Sequence, residues 1–154
     1  MSKLPTLDEA KIYIYNIDFS LIVNKMVTHL EWRRKDAEKI CVLYRNFLFL
    51  QKKYGANQPL PPSEEIDEFW HNHILDTKKY REDCQNIFGY YQDHYPYFGI
   101  DGKTNLNDLN NAFENTQALH ELEFGYRIER IKPLKLKEIM PAILNAAKAC
   151  INQT

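Results

Sequence analysis

An all-α protein is predicted, on three observations. Apolar residues recur at three- and four-residue spacing along most of the 154 residues, period-2 alternation is scarce, and helix start and stop signals punctuate the periodic stretches. The first helix starts near Asp8, after Pro5 and Thr6, and continues through Leu21, Ile22, Met26, Val27 and Leu30, with a break around Asn16 to Asp18. Its YIYNIDF stretch also suits a strand. The second and clearest helix runs from about Arg34 to Tyr54, where Ala37, Ile40, Cys41, Tyr44, Phe47, Leu48 and Leu50 form a wide apolar stripe and Gly55 ends it. ANQPLPPSEE has three prolines and no periodicity, so it reads as an irregular, partly extended connection. Ser63 followed by Glu64 and Glu65 is a cap with favourable first-turn charge, opening a helix from about Glu64 to Phe88. YYQDHYPYFGIDGK then reads as an ordered loop held by packed aromatic rings. A further helix starts near Asn105 and ends at Gly125, using a thin apolar face of Leu106, Leu109, Phe113, Leu119 and Leu122. Pro141 is placed in the first turn of a last helix, AILNAAKACI.

Length and composition narrow the functional classes. The chain is long enough to bury a sizeable core in one domain. A formal net charge of -1 supplies no field for capturing phosphate backbones or anionic lipid, which argues against nucleic-acid partners. No run approaches the roughly 18 apolar residues of a membrane span, and the N-terminus carries charges where a secretory leader needs apolar residues, so no membrane insertion is expected and a cytoplasmic location is. Cys41, Cys84 and Cys150 are odd in number and show no CxxC spacing, which argues against a disulfide framework or a zinc finger. Arg33, Arg34 and Lys35, with Lys132, Lys135 and Lys137, are short basic groups on solvated faces, while Gly-rich phosphate loops, GxSxG and HExxH are absent.

The chemistry concentrates around Trp70. At 100° per residue, Phe69, Trp70, Tyr80, Cys84, Ile87 and Phe88 share one broad face of the third helix, with His73 near its middle. A polar ring there needs a hydrogen-bond partner or a metal. His73 is therefore read either as a satisfied core histidine or as a ligand. His71 points about 160° away from His73 and pairs with Asp67 one turn earlier, so the HxH spacing does not chelate from a straight helix. His94, returning from the aromatic loop, is a candidate to join His73 or Cys84 in a transition-metal site such as zinc, and a Cys84–His94 dyad is a further arrangement. On a straight helix His73 and Cys84 stand roughly 16 Å apart along the axis and share no small site unless it breaks. Trp70 is read as a core anchor or a recognition residue, and Tyr97 and Phe98 as loop packing or a binding surface.

The run PPSEEIDEFWHNHILDTKKYREDCQNIFGYYQDHYPYFG resembles the core of the glycine-rich domain-containing protein-like family, whose pattern is approximately PSxxVDxxWHxHILDTxxYxxDCxxxFGxxxHHxPYFG. The residues that carry the likeness include Pro62, Ser63, Asp67, Trp70, His71, His73, Asp76, Tyr80, Asp83, Cys84, Gly89, His94, Pro96 and Gly99, and the preceding YRNFLFL is similar to the family's YRxFLxL helix. Ile66 stands where Val is usual, and Asp93 where many relatives have a second His. The resemblance implies a helical fold, no established reaction, and a site built from Asp67, Trp70, His71, His73, Cys84 and His94. One domain over residues 1–154 is expected, with 1–30 a helical extension, 31–100 the core and 101–154 C-terminal helices. Two functions stand open: a helical adaptor that binds a protein or peptide through Trp70, Tyr97 and Phe98, or a metal-binding protein, with hydrolysis one use of the metal, whose ligands come from Asp67, His71, His73, Cys84 and His94.

Overall fold

The computed structural model describes residues 3–131 and 136–151, in which seven helices follow one another: α1 (Leu7–Asn16), α2 (Ser20–Thr28), α3 (Arg34–Tyr54), α4 (Glu64–Leu75), α5 (Thr77–Ile87), α6 (Leu106–Phe124) and α7 (Leu136–Ile151). The described residues contain no strand. The all-α expectation therefore holds, and YIYNIDF is helical up to Asn16. Thr6 begins α1 with a reciprocal capping box, its Oγ1 accepting from Glu9 while the Glu9 carboxylate accepts from the Thr6 N–H. The break that follows α1 is held from outside. Arg45 of α3 donates to the carbonyls of Ile14 and Ile17, the first of which also accepts from the Ile17 N–H, and its guanidinium lies 4.9 Å from the Phe19 ring centroid.

The 21-residue α3 is the axis of the molecule, and α1, α2, α4 and α6 all pack on it. Its apolar stripe meets Phe19, Phe69 and Trp70, giving a core with Tyr44, Phe47 and Phe69 almost fully buried. By contrast, α6 is seated largely through polar groups: Ala112, Thr116, Gln117 and His120 are buried, while Leu106 and Leu122 face solvent. Thr116 donates to the Pro61 carbonyl, and Gln117 exchanges two bonds with the backbone of Ile128. These bonds explain how a helix with a thin apolar face is held.

The structure corrects two of the expected elements. Residues 64–88 form two helices instead of one, because Asp76 (φ -82°, ψ 71°) leaves the helical region and caps both. The turn folds α5 back against α4. Residues ten apart then touch, Tyr80 with Trp70 and Asp83 with His73, where a straight helix would separate them by about 15 Å. Likewise, α7 begins at Leu136, with Pro141 inside it instead of in its first turn. Its residues 143–151 are exposed. No helix of the described residues is long and apolar enough to cross a membrane.

Candidate metal centre and its cleft

The Ser63 hydroxyl caps α4 by accepting from the Ile66 N–H, which fixes where the helix starts and therefore which face each later residue occupies. Asp67 and His71, one turn apart, share the face turned away from the core, with Asp67 Oδ2 at 3.2 Å from His71 Nε2. His94 reaches the same carboxylate from the loop beyond α5, its Nε2 at 2.6 Å from Asp67 Oδ1 and 3.1 Å from His71 Nε2. Three potential ligand atoms from two segments thus converge on one point.

Two observations explain why the loop comes to that point. The Trp70 indole N–H donates to the Tyr80 hydroxyl at 3.0 Å, and that hydroxyl donates to the Gln92 carbonyl at 2.6 Å, tying the loop backbone to both helices. Trp70 also lies against His94, with ring centroids 4.3 Å apart. Beside the group opens a cleft of about 380 Å³. Its walls are the Leu60–Pro62 connection, Trp70, the loop from Gln92 to Pro96, Phe98 and Leu109.

The remaining sequence candidates fall elsewhere. His73 is 1% exposed and both its ring nitrogens are bonded, Nδ1 with the Tyr44 hydroxyl and Nε2 with Asp83 Oδ2, each at 2.7 Å. Burial pushes His73 below the ordinary imidazole range despite the pull of Asp83, so the ring is neutral, donates through Nε2 and accepts from Tyr44. Burial acts to raise Asp83, yet the bonds from His73 and Tyr13 and the nearby Lys79 outweigh it and hold that carboxyl below its usual value. His73 thus belongs to a closed chain, Tyr44–His73–Asp83–Tyr13, that links α3, α4, α5 and α1. Cys84 is 2% exposed, and burial pushes its thiol up, away from a reactive thiolate. His94 is engaged with Asp67 and His71 instead of Cys84. Of the aromatic candidates, Trp70 and Phe98 line the cleft. Tyr97 packs on Tyr95 at the surface, and Tyr90, Tyr91, Tyr95 and Tyr97 are each about half exposed, so the loop is ordered less by ring burial than expected. What holds it further is Asp101, which accepts from Tyr95 and from the backbone and side chain of Thr104.

A protein-family model described as UCP032817-like matches residues 9–140. The chain belongs to the UCP032817-like family. That description names no reaction or ligand, and it is a different name from the glycine-rich one that the motif resembles. No curated protein and no solved structure matches the chain. The UCP032817-like match includes all three converging residues and every described cleft wall. Gln51, the Leu60–Pro62 strip and Leu109 were absent from the sequence candidates, for they lie in α3, a connection and α6, and only the packed fold sets them side by side. A signal was present for Gln51, a polar residue near the end of an apolar stripe, whose side chain donates to the Leu60 carbonyl.

Proposed function

We propose that this UCP032817-like protein binds one divalent transition metal of the zinc class through Asp67, His71 and His94, and that the adjoining cleft admits a small ligand or substrate to it. The observation that carries this reading is the mutual closeness of the three atoms. Protons alone satisfy at most two of the three contacts. If both histidines carry their proton on Nε2, each bonds Asp67, but two N–H groups then face each other at 3.1 Å. If only one does, a ring lone pair faces the carboxylate. A cation among them satisfies all three, and the separations of 2.6–3.2 Å approach the roughly 3.3 Å between ligands of a tetrahedral ion with bonds of about 2.0–2.1 Å. Three protein ligands leave a position open, the pattern of catalytic more than of closed structural sites, so metal-assisted hydrolysis is the reaction class we assign.

Elemental analysis of protein purified without added metal or chelator tests this. We expect about one transition-metal ion per chain, lost in His71→Ala and in Asp67→Asn and retained in His73→Ala. Metal-free wild type that also fails to take up zinc on dialysis overturns the reading. It would leave the second one, an adaptor for a protein or peptide, which is favoured by the exposure of Tyr95, which lines the cleft, and of Tyr97, which packs on it, at 57% each. The unpaired Cys41 and Cys84 suit a reducing, cytoplasmic setting. The likeness to the glycine-rich domain-containing proteins we retain as a proposed kinship, carried by the WHNHILD and HYPYFG runs.

A further inference from the structure

We infer that the cleft beside the Asp67–His71–His94 group receives an organic ammonium group on a compact apolar body and turns away anions; the metal beside the cleft rests on the proposed function, whereas this selectivity does not. The cleft presents three carboxylates, Glu64, Asp67 and Asp93, and among the described residues lining it there is no Lys or Arg. Glu64 and Asp93 are both exposed at the cleft, and neither forms an ion pair with a described residue, so no bound cation offsets the charge they add to its field. A divalent ion against Asp67 offsets two of the three negative charges and leaves the cleft negative. The sign of the field is thus the same with and without metal.

The apolar walls point to the same chemistry. The half-buried Phe98 and the edge of the buried Trp70 line it with aromatic carbon, and an ammonium beside an aromatic ring gains from the ring quadrupole as well as from the carboxylates. The prolines at 61, 62 and 96 give walls with little side-chain freedom to lose on binding. At about 380 Å³ the cleft is at the small end of ligand pockets, which fits an amine carried on one ring or a short chain. An anionic ligand would instead meet three carboxylates with no Lys or Arg among the described lining residues to offset them, the arrangement by which sites reject a wrong partner.

The experiment is calorimetric titration at pH 7.5 with three probes of one size, benzylamine, benzyl alcohol and benzoate. It is run on zinc-loaded wild type and on His71→Ala, whose metal content is measured in parallel. Benzylamine is expected to bind about tenfold tighter than benzyl alcohol, with benzoate weakest, and the order is expected to persist in His71→Ala. The double variant Glu64→Gln/Asp93→Asn should erase the lead of benzylamine over the alcohol while leaving the alcohol's affinity in place. Benzoate binding as tightly as benzylamine, or benzylamine failing to bind at millimolar concentration, overturns the inference. Failure of the metal reading appears separately, as zinc absent from the wild type with the order of the probes unchanged.

Discussion

Removing the His73 ring would leave the buried Tyr44 hydroxyl without its partner and Asp83 Oδ2 with only the Lys79 ammonium at 3.4 Å. His73→Ala is therefore expected to lower the unfolding free energy by at least about 2 kcal/mol, read as a lower urea midpoint, with metal content unaffected. An unchanged midpoint would mean that the closed chain through Asp83 contributes nothing to stability. His71, two residues away, faces the other side of α4 with a side chain 52% exposed, so its loss should cost little stability beyond that of the metal. The opposite orientation of the two rings was legible in the sequence from helical geometry alone, as was the pairing of His71 with Asp67. The partner of His73 was not. Tyr44 lies 29 residues away on α3, and only the packing of α3 on α4 brings its hydroxyl to the ring.

Among the elements, α3 and α6 were legible almost to the residue, because a glycine follows each, although only the one after α6 takes the left-handed conformation. Gly125 takes the left-handed conformation at φ 84° after α6, and Gly55 follows α3. The break at Asp76 had no such mark. Neither Gly nor Pro stands there, and the turn is stabilised by contacts it creates, those of Tyr80 with Trp70 and of Asp83 with His73. Gly89, just past the end of α5, marks a second joint. It has φ 79°, and a Cβ on it would come within 2.6 Å of a Leu4 methyl and 3.0 Å of the Pro5 ring, whereas Gly102, at φ 78°, has open space around it. Both Gly→Ala changes incur the left-handed cost of about 1–2 kcal/mol, but Gly89→Ala must also displace the segment before α1. Thermal unfolding should therefore rank Gly89→Ala clearly below Gly102→Ala; equal melting temperatures would show that the Leu4–Pro5 segment yields without cost.

Across the whole molecule, the N-terminal helices prove to be part of the core more than an addition to it. Ala10 and Ile14 are fully buried, Tyr13 donates to Asp83, and the Lys52 ammonium donates to the Pro5 carbonyl. The UCP032817-like match beginning at residue 9 agrees with this integration. The interior also contains two imidazoles, His73 and His120, that burial pushes below the ordinary range. His120 donates through Nδ1 to the Tyr126 carbonyl and accepts from Asn46. Folded, both rings stay neutral as pH falls through about 6.5, while in the unfolded chain they gain protons. Stability should therefore be unaffected by these groups above that pH and decline below it. Urea midpoints at pH 7.5 and 5.5 measure the decline, which should be smaller in His120→Gln; an identical decline would assign the acid sensitivity to other groups.

The tilted contact of Trp70 with His94 has an optical consequence. The chain has two tryptophans, and Trp32 hydrogen-bonds Glu68 at the other side of α4 while Trp70 touches the ring that reaches Asp67. Any event at His94, whether an ion arriving, a proton leaving or a ligand sliding between the rings, alters the electronic surroundings of one indole and spares the other. The protein therefore carries an internal fluorescent probe for its own cleft, and Trp70→Phe silences that signal while Trp32 continues to emit as the reference.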